Sequence, residues 1–223
     1  MKHFILIFFF TATLTIFNIF QDNETSNLTD DKLVHAATNK QSVKPYEKNK
    51  IEKAVAWAEK IARDNTHGYS QGKENAKKNR PYTGSREGPD YDCSSLVYHA
   101  LDYAGFDIIA AWQKNPHYKK LYNGKQKTGD TDTIWQDLQV VGGFTKYEWK
   151  DIRNNLKRGD ILCDPNHHVA IYVGNGETVE ARGVENPRGG DWATGDQGGE
   201  IDFYSAYNRS WKEVYRYTEV YCK

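Results

Sequence analysis

An α+β fold, with helices gathered in the first half and an antiparallel meander in the second, follows from three features of the chain. Apolar residues recur at i, i+3, i+4 spacing in Ile51–Ala62 and again in Leu96–Ala104, the period of a helix with one buried face. After Gly159 the pattern changes to short runs of β-branched and aromatic residues separated by tight turns, the period of strands. Helices first and strands afterwards, without any internal repeat, is the α+β order rather than the alternation of a parallel sheet.

The 223 residues divide into three stretches. Residues 1–20 carry an uncharged run, Phe4 to Phe20, behind Lys2 and His3, and read as a signal-peptide core or a membrane anchor. The run is at the short limit for a span, which takes about 20 apolar residues. Val34-His35-Ala36 has the small-residue character of a cleavage site but lies far downstream of the run. Residues 21–49 are polar and aperiodic and read as a solvated linker, acidic at first and basic later. Residues 50–223 form the folded domain. The chain is therefore expected to be secreted, and tethered to the membrane if residues 4–20 are retained. Lys+Arg and Asp+Glu both number 30, so no charge excess draws it to nucleic acid or an anionic surface. The 15 tyrosines and 6 tryptophans suit a β-rich core, with a ring-lined groove as the functional alternative.

Within the domain, Ile51, Ala54, Val55, Ala58, Ile61 and Ala62 make the apolar stripe of the first helix, flanked by Trp57. His67 to Asp92 is a long Gly-, Asn- and Lys-rich loop, expected to wall a cleft. Its basic cluster, Lys73, Lys77, Lys78 and Arg80, reads as solvated surface. The second helix begins at or next to Cys93, with Asp92 as N-cap and Gly105 as C-cap. A short apolar piece, Ile108 to Trp112, precedes a polar loop and a helix over Thr131–Leu138. The turn Lys157-Arg158-Gly159-Asp160 leads to a strand at Ile161–Cys163. HHVAIYVGNG is a strand closed by a tight Gly174-Asn175-Gly176 turn, and ETVEARG is its partner. Glu185 to Glu200 is a Gly-rich loop, and Val214 to Tyr221 alternates as a last strand.

The chemistry centres on Cys93. A thiol in the first turn of a helix meets free N–H groups and the positive end of the dipole, which favour thiolate. The same position suits an ordinary buried cysteine. A nucleophile needs a base, and the base an orienting group. His168 alternates with Ala170 and Tyr172, His167 with Val169, Ile171 and Val173, and period alone does not say which face meets the helix. Glu180, across the tight turn, falls beside His168 within a few residues of register. With Cys93 as the working thiol, Cys163 and Cys222 are the pair available for a disulfide tying the last strand to the sheet, two unpaired buried thiols being the alternative. Cys163, Asp164, His167 and His168 imitate a metal cluster, but no second Cys/His pair completes a four-ligand set, and no metal or cofactor is called for.

Glu87-Gly88-Pro89-Asp90-Tyr91-Asp92-Cys93-Ser94-Ser95-Leu96-Val97, followed by Arg158-Gly159-Asp160-Ile161-Leu162 and then HVAIYVGNG and VEA, resembles the NlpC/P60 family of cell-wall cysteine peptidases, in particular its phage-type peptidoglycan hydrolases. The likeness runs from about Ile51 to the C-terminus. It implies a papain-like core that cleaves amide bonds of peptidoglycan stem peptides, with Cys93 as nucleophile and His168 as base. The third polar position, usually histidine in the family, falls on Glu180, with Asn175 and Asp164 as weaker rivals. The resemblance also implies an upstream tyrosine near the oxyanion, for which Tyr69 competes with Tyr82, and stem-peptide contacts from Asp92 and Ser94, although Asp92 serves equally well as a plain N-cap. Peptidoglycan is thus the expected partner, the chain a monomer, and a stem-peptide endopeptidase the expected activity. An N-acetylmuramoyl-L-alanine amidase or a non-catalytic wall-binding module on the same scaffold are the alternatives.

Overall fold

The computed structural model describes residues 50–72, 86–118, 126–183 and 199–218, all within one compact unit, Ser42–Lys223. The expected leader at 1–20, the linker at 21–49, the basic cluster of the long loop, Tyr82 and Cys222 lie outside the described residues. Helix α1 spans Lys50–Ala62, α2 Cys93–Tyr103, α3 Ile108–Lys114, α4 Ile134–Val141 and α5 Trp149–Ile152, the last running into a 3₁₀ turn at Arg153–Asn155. The strands are β1 Phe144–Glu148, β2 Ile161–Asp164, β3 His168–Gly174, β4 Glu177–Ala181, β5 Ile201–Ser205 and β6 Glu213–Tyr217. They form one antiparallel sheet in the order β1-β6-β2-β3-β4-β5. The fold is α+β, as its periods predict.

Helices α1 and α2 pack on each other and on the centre of the sheet at β3 and β4. Ala54, Val55, Ala58, Ile61 and Ala62 of α1 are buried, which is the stripe read from the sequence. Each fully buried Val or Ile side chain contributes about 1.5–3 kcal/mol. Helix α2 is buried on nearly every side, Ser94, Ser95 and Tyr98 included, because α1, α3 and the sheet enclose it. Val169, Ile171 and Val173 of β3 join this main core. On the opposite face Leu162, Ala170, Tyr172, Ala206, Trp211 and Val214 build a second, smaller core.

The turn before β2 shows why its residues are needed. Arg158 reaches back to α1, with Nε 2.9 Å from Glu52 and Nη1 2.6 Å from Glu59, and donates to the Val173 carbonyl at 2.6 Å. Gly159 has φ +91°, and a Cβ there would lie 2.3 Å from Ile51 Cγ1. Asp160, 1 % exposed, forms a two-pronged pair with Arg216 of β6 at 2.7 and 2.6 Å.

Several boundaries differ from expectation. Strands β1 and β5, the two edges of the sheet, escape the sequence reading: β1 leaves two of its five residues half-buried and none buried, and β5 buries Ile201 and Tyr204 three positions apart, so no apolar alternation marks either. The helix expected over Thr131–Leu138 starts at Ile134, since Thr133 bonds back to Asp130 and holds the preceding residues in a turn. Gly105 follows the cap residue Ala104 rather than being the cap, and supplies a left-handed φ of +85°. The last strand ends at Tyr217, with Thr218 outside it, and is paired on both sides, by β1 and by β2. Cys163 is a free, buried thiol whose Sγ lies 3.7 Å from the Thr131 carbonyl.

Candidate active site

Cys93 opens α2, and the residues around it fix that start. Asp92, in extended conformation, accepts the Ser95 N–H at 2.8 Å, while Ser95 Oγ accepts the Asp92 N–H at 2.9 Å. This reciprocal box satisfies two donors that a helix end would otherwise leave unpaired. Arg86, 6 % exposed, grips Asp92 with Nε at 2.7 Å and Nη2 at 2.8 Å, and donates to Ser94 Oγ at 2.6 Å. It also donates to the Gly129 carbonyl at 3.2 Å, so the loop at 126–130 is clasped to the helix start. Asp92 and Ser94 are therefore engaged in a buried charge network beneath the helix. The sequence reading passed over Arg86, although an arginine shortly before a capping aspartate is a visible signal.

Tyr69 comes to the same place by a parallel bridge to Tyr91, in which Tyr91 donates to the Gly68 carbonyl at 3.0 Å and Ser70 to the Tyr91 carbonyl at 3.1 Å. Its N–H donates to Glu200 Oε2 at 2.5 Å. Burial, and then the neighbouring Cys93 and Asp92, push the Tyr69 phenol far above its ordinary range, so it remains a neutral donor.

His168 is the first residue of β3 and only 6 % exposed, whereas the His167 side chain is 72 % exposed. It lies on the face of Ala170 and Tyr172, stacked on Trp211 with ring centroids 5.8 Å apart. Its Nε2 is 2.7 Å from Glu180 Oε2. Glu180, fully buried, also accepts from Thr178 Oγ1 at 2.7 Å and Arg182 Nε at 2.9 Å, with Arg209 Nε at 3.7 Å. Burial alone would raise this carboxyl. The bond to His168 and the charge of Arg182 outweigh it and hold Glu180 below the usual carboxylate range. Burial dominates at His168 and moves its imidazole below the ordinary value, aided by Arg209 and Arg182 and opposed by Glu180. Since an ionised Glu180 can only accept, the ring proton is assigned to Nε2, which leaves Nδ1 as an acceptor.

Cys93 packs with Val169 on one face of β3, and His168, the residue before Val169, lies on the other. The last recorded pair of β3 and β4 toward this end is Ile171 with Val179. The Val169 amide, one residue beyond His168, donates instead to the Cys93 thiol, and the Ser94 amide does the same. Burial, and then Asp92, push the thiol up to about 12, against the effect of those amides and of Arg86. The helix start does not produce the thiolate that its dipole suggests: desolvation of a nearly enclosed sulfur is the larger effect. The thiol therefore rests neutral, and the free lone pair of the His168 imidazole is on Nδ1. Asp164 pairs with the exposed His167 at 3.6 Å, and Asn175 sits in the β3–β4 turn, so neither takes the position that Glu180 holds.

Compared with family models, residues 39–179 match an endolysin-like domain. No curated protein and no solved structure matches the chain. The matched span includes Cys93 and His168 and stops one residue before Glu180.

Proposed function

The chain belongs to the family of endolysin-like domains, which points to hydrolysis of peptidoglycan, and from that premise we propose that it is an exported thiol endopeptidase of the NlpC/P60 type that cuts an amide bond in the stem peptide. The observation that carries the reading is the 2.7 Å bond between His168 and the buried Glu180, together with a thiol that receives the amide of Val169, the residue after His168. A structural cysteine would need neither a base nor a charge to orient it.

The substrate carbonyl binds over the start of α2. His168 Nδ1 takes the thiol proton as Cys93 sulfur attacks the carbonyl carbon, so the charged nucleophile exists only while the bond forms. The oxyanion is held by the Cys93 amide, which has no acceptor within its helix, and by the Tyr69 hydroxyl. Glu180 stabilises the imidazolium and keeps its Nε2 proton in place. Imidazolium then protonates the leaving amine, the C–N bond breaks and an acyl-thioester remains. A water, losing its proton to His168, attacks the thioester and releases the carboxylate and the thiol. Asp92 and Ser94 hold the helix start through Arg86 in this scheme.

Digestion of purified peptidoglycan with mass analysis of the fragments tests the reading. New amino termini inside the stem peptide are the expected result. Free muramoyl lactyl carboxylates with an intact stem would instead assign an amidase.

A further inference from the structure

The second, smaller core of the sheet carries a pocket that the thiol chemistry does not use. It has a volume of about 360 Å³ and lies between α5 with its 3₁₀ turn and the segment leading into β6. Trp149, Tyr207 and Trp211 supply its rings, and Arg153 and Arg209 its charge. Trp149 and Tyr207 stand 6.1 Å apart at 46°, with Tyr207 54 % exposed, so the rings offer a concave apolar surface rather than a sealed core. The Tyr207 hydroxyl donates to the Arg153 carbonyl at 3.3 Å and ties the two sides together.

The two guanidinium groups differ in their ties. Arg209 approaches Glu180 to 3.7 Å and lies over Trp211 with Cζ 5.8 Å from the ring, while its buried Nε makes no hydrogen bond among the described residues. Arg153 is exposed. Both arginines line one cavity, and a guanidinium matches a planar carboxylate through two parallel N–H bonds. Aromatic walls beside them suit a small apolar body on that anion. The volume is within the range of small-ligand sites and fits a dipeptide.

We infer that this pocket is an accessory site for the free carboxylate end of a short peptide, with the carboxylate between Arg153 and Arg209 and its apolar side chain against Trp149 and Tyr207. The pocket is reached from the face of the sheet opposite α1 and α2 and is separated from His168 by the Trp211 ring. In a wall hydrolase such a site would hold an uncrosslinked stem while a neighbouring bond is cut. The choice of peptide as ligand rests on the proposed function, but its test does not.

Binding is measured by calorimetry on the full chain carrying Cys93→Ala, so that no turnover enters. N-acetyl-alanyl-alanine is expected to bind with its C-terminal amide at least about tenfold weaker, and Arg153→Gln is expected to lose a similar factor for the acid alone. Equal affinity for acid and amide, or undiminished binding by Arg153→Gln with its circular dichroism unchanged, overturns the inference. So does binding of inorganic phosphate as tight as that of the peptide, or of a neutral N-acetylglucosamine oligomer in its place. Where Arg153→Gln disturbs the fold, the acid-to-amide comparison on the unaltered pocket decides alone.

Discussion

Glu180 gathers His168, Thr178, Arg182 and Arg209 around one fully buried carboxylate. Glu180→Gln keeps an acceptor for the His168 ring but removes the charge that stabilises the imidazolium. The kcat/KM is expected to fall by roughly 10²–10⁴-fold with the fold retained, read from steady-state kinetics and circular dichroism. Tyr69→Phe removes one proposed oxyanion donor and is expected to lower kcat on the order of 10²-fold with little change in KM. The pH profile follows from the directions of the shifts. His168 titrates below its ordinary value of about 6.5, so it remains a competent base at mildly acidic pH, and activity is lost only as pH falls through that depressed value. Stability moves the same way. A folded-state pKa below the unfolded one contributes stability above about pH 6.5, and that contribution is lost as pH falls through the folded value. An acidic limb above pH 6.5 would contradict the placement of His168.

At the scale of elements, the start of α2 depends on a buried pair, Arg86 with Asp92. Asp92→Ala removes the cap and leaves the guanidinium buried without its carboxylate, which is expected to destabilise the domain by about 3–5 kcal/mol in urea unfolding. A loss within about 1 kcal/mol would mean that only a cap is removed. Helices α1 and α2 were legible because burial on one face leaves a 3.6-residue period, and Asp92 was legible as a cap because its side chain acts locally. Arg86 was passed over: its pairing with Asp92 lay within reach of a local reading, whereas its partners at Thr128, Gly129 and Asp130 are distant in sequence and no local pattern announces them. Edge strand β1 was invisible because it buries none of its residues, and β5 because its buried residues, Ile201 and Tyr204, do not alternate. His168 and Glu180 could be named but not oriented: period alone did not say that Val169 faces Cys93 while His168 faces Trp211. The thiolate expected at a helix start failed because desolvation, a property of the whole packing, outweighs the dipole.

The whole molecule places the helix that opens with Cys93 against one face of the sheet and His168, bonded to Glu180, on the other, with the Val169 amide between them in sequence turned to the sulfur. Every described element belongs to the unit Ser42–Lys223, so a chain beginning at Ser42 is expected to fold and to retain its hydrolytic activity, as circular dichroism and wall digestion would show. The proposed export and tether would then act on where the protein works rather than on its chemistry. The central claim is that the Cys93 sulfur is the nucleophile. Purified peptidoglycan is incubated with the native chain and with Cys93→Ala of unchanged circular dichroism, and new amino groups are counted. The native chain is expected to release them and the variant to release none above background; release by Cys93→Ala at the native rate would contradict the account.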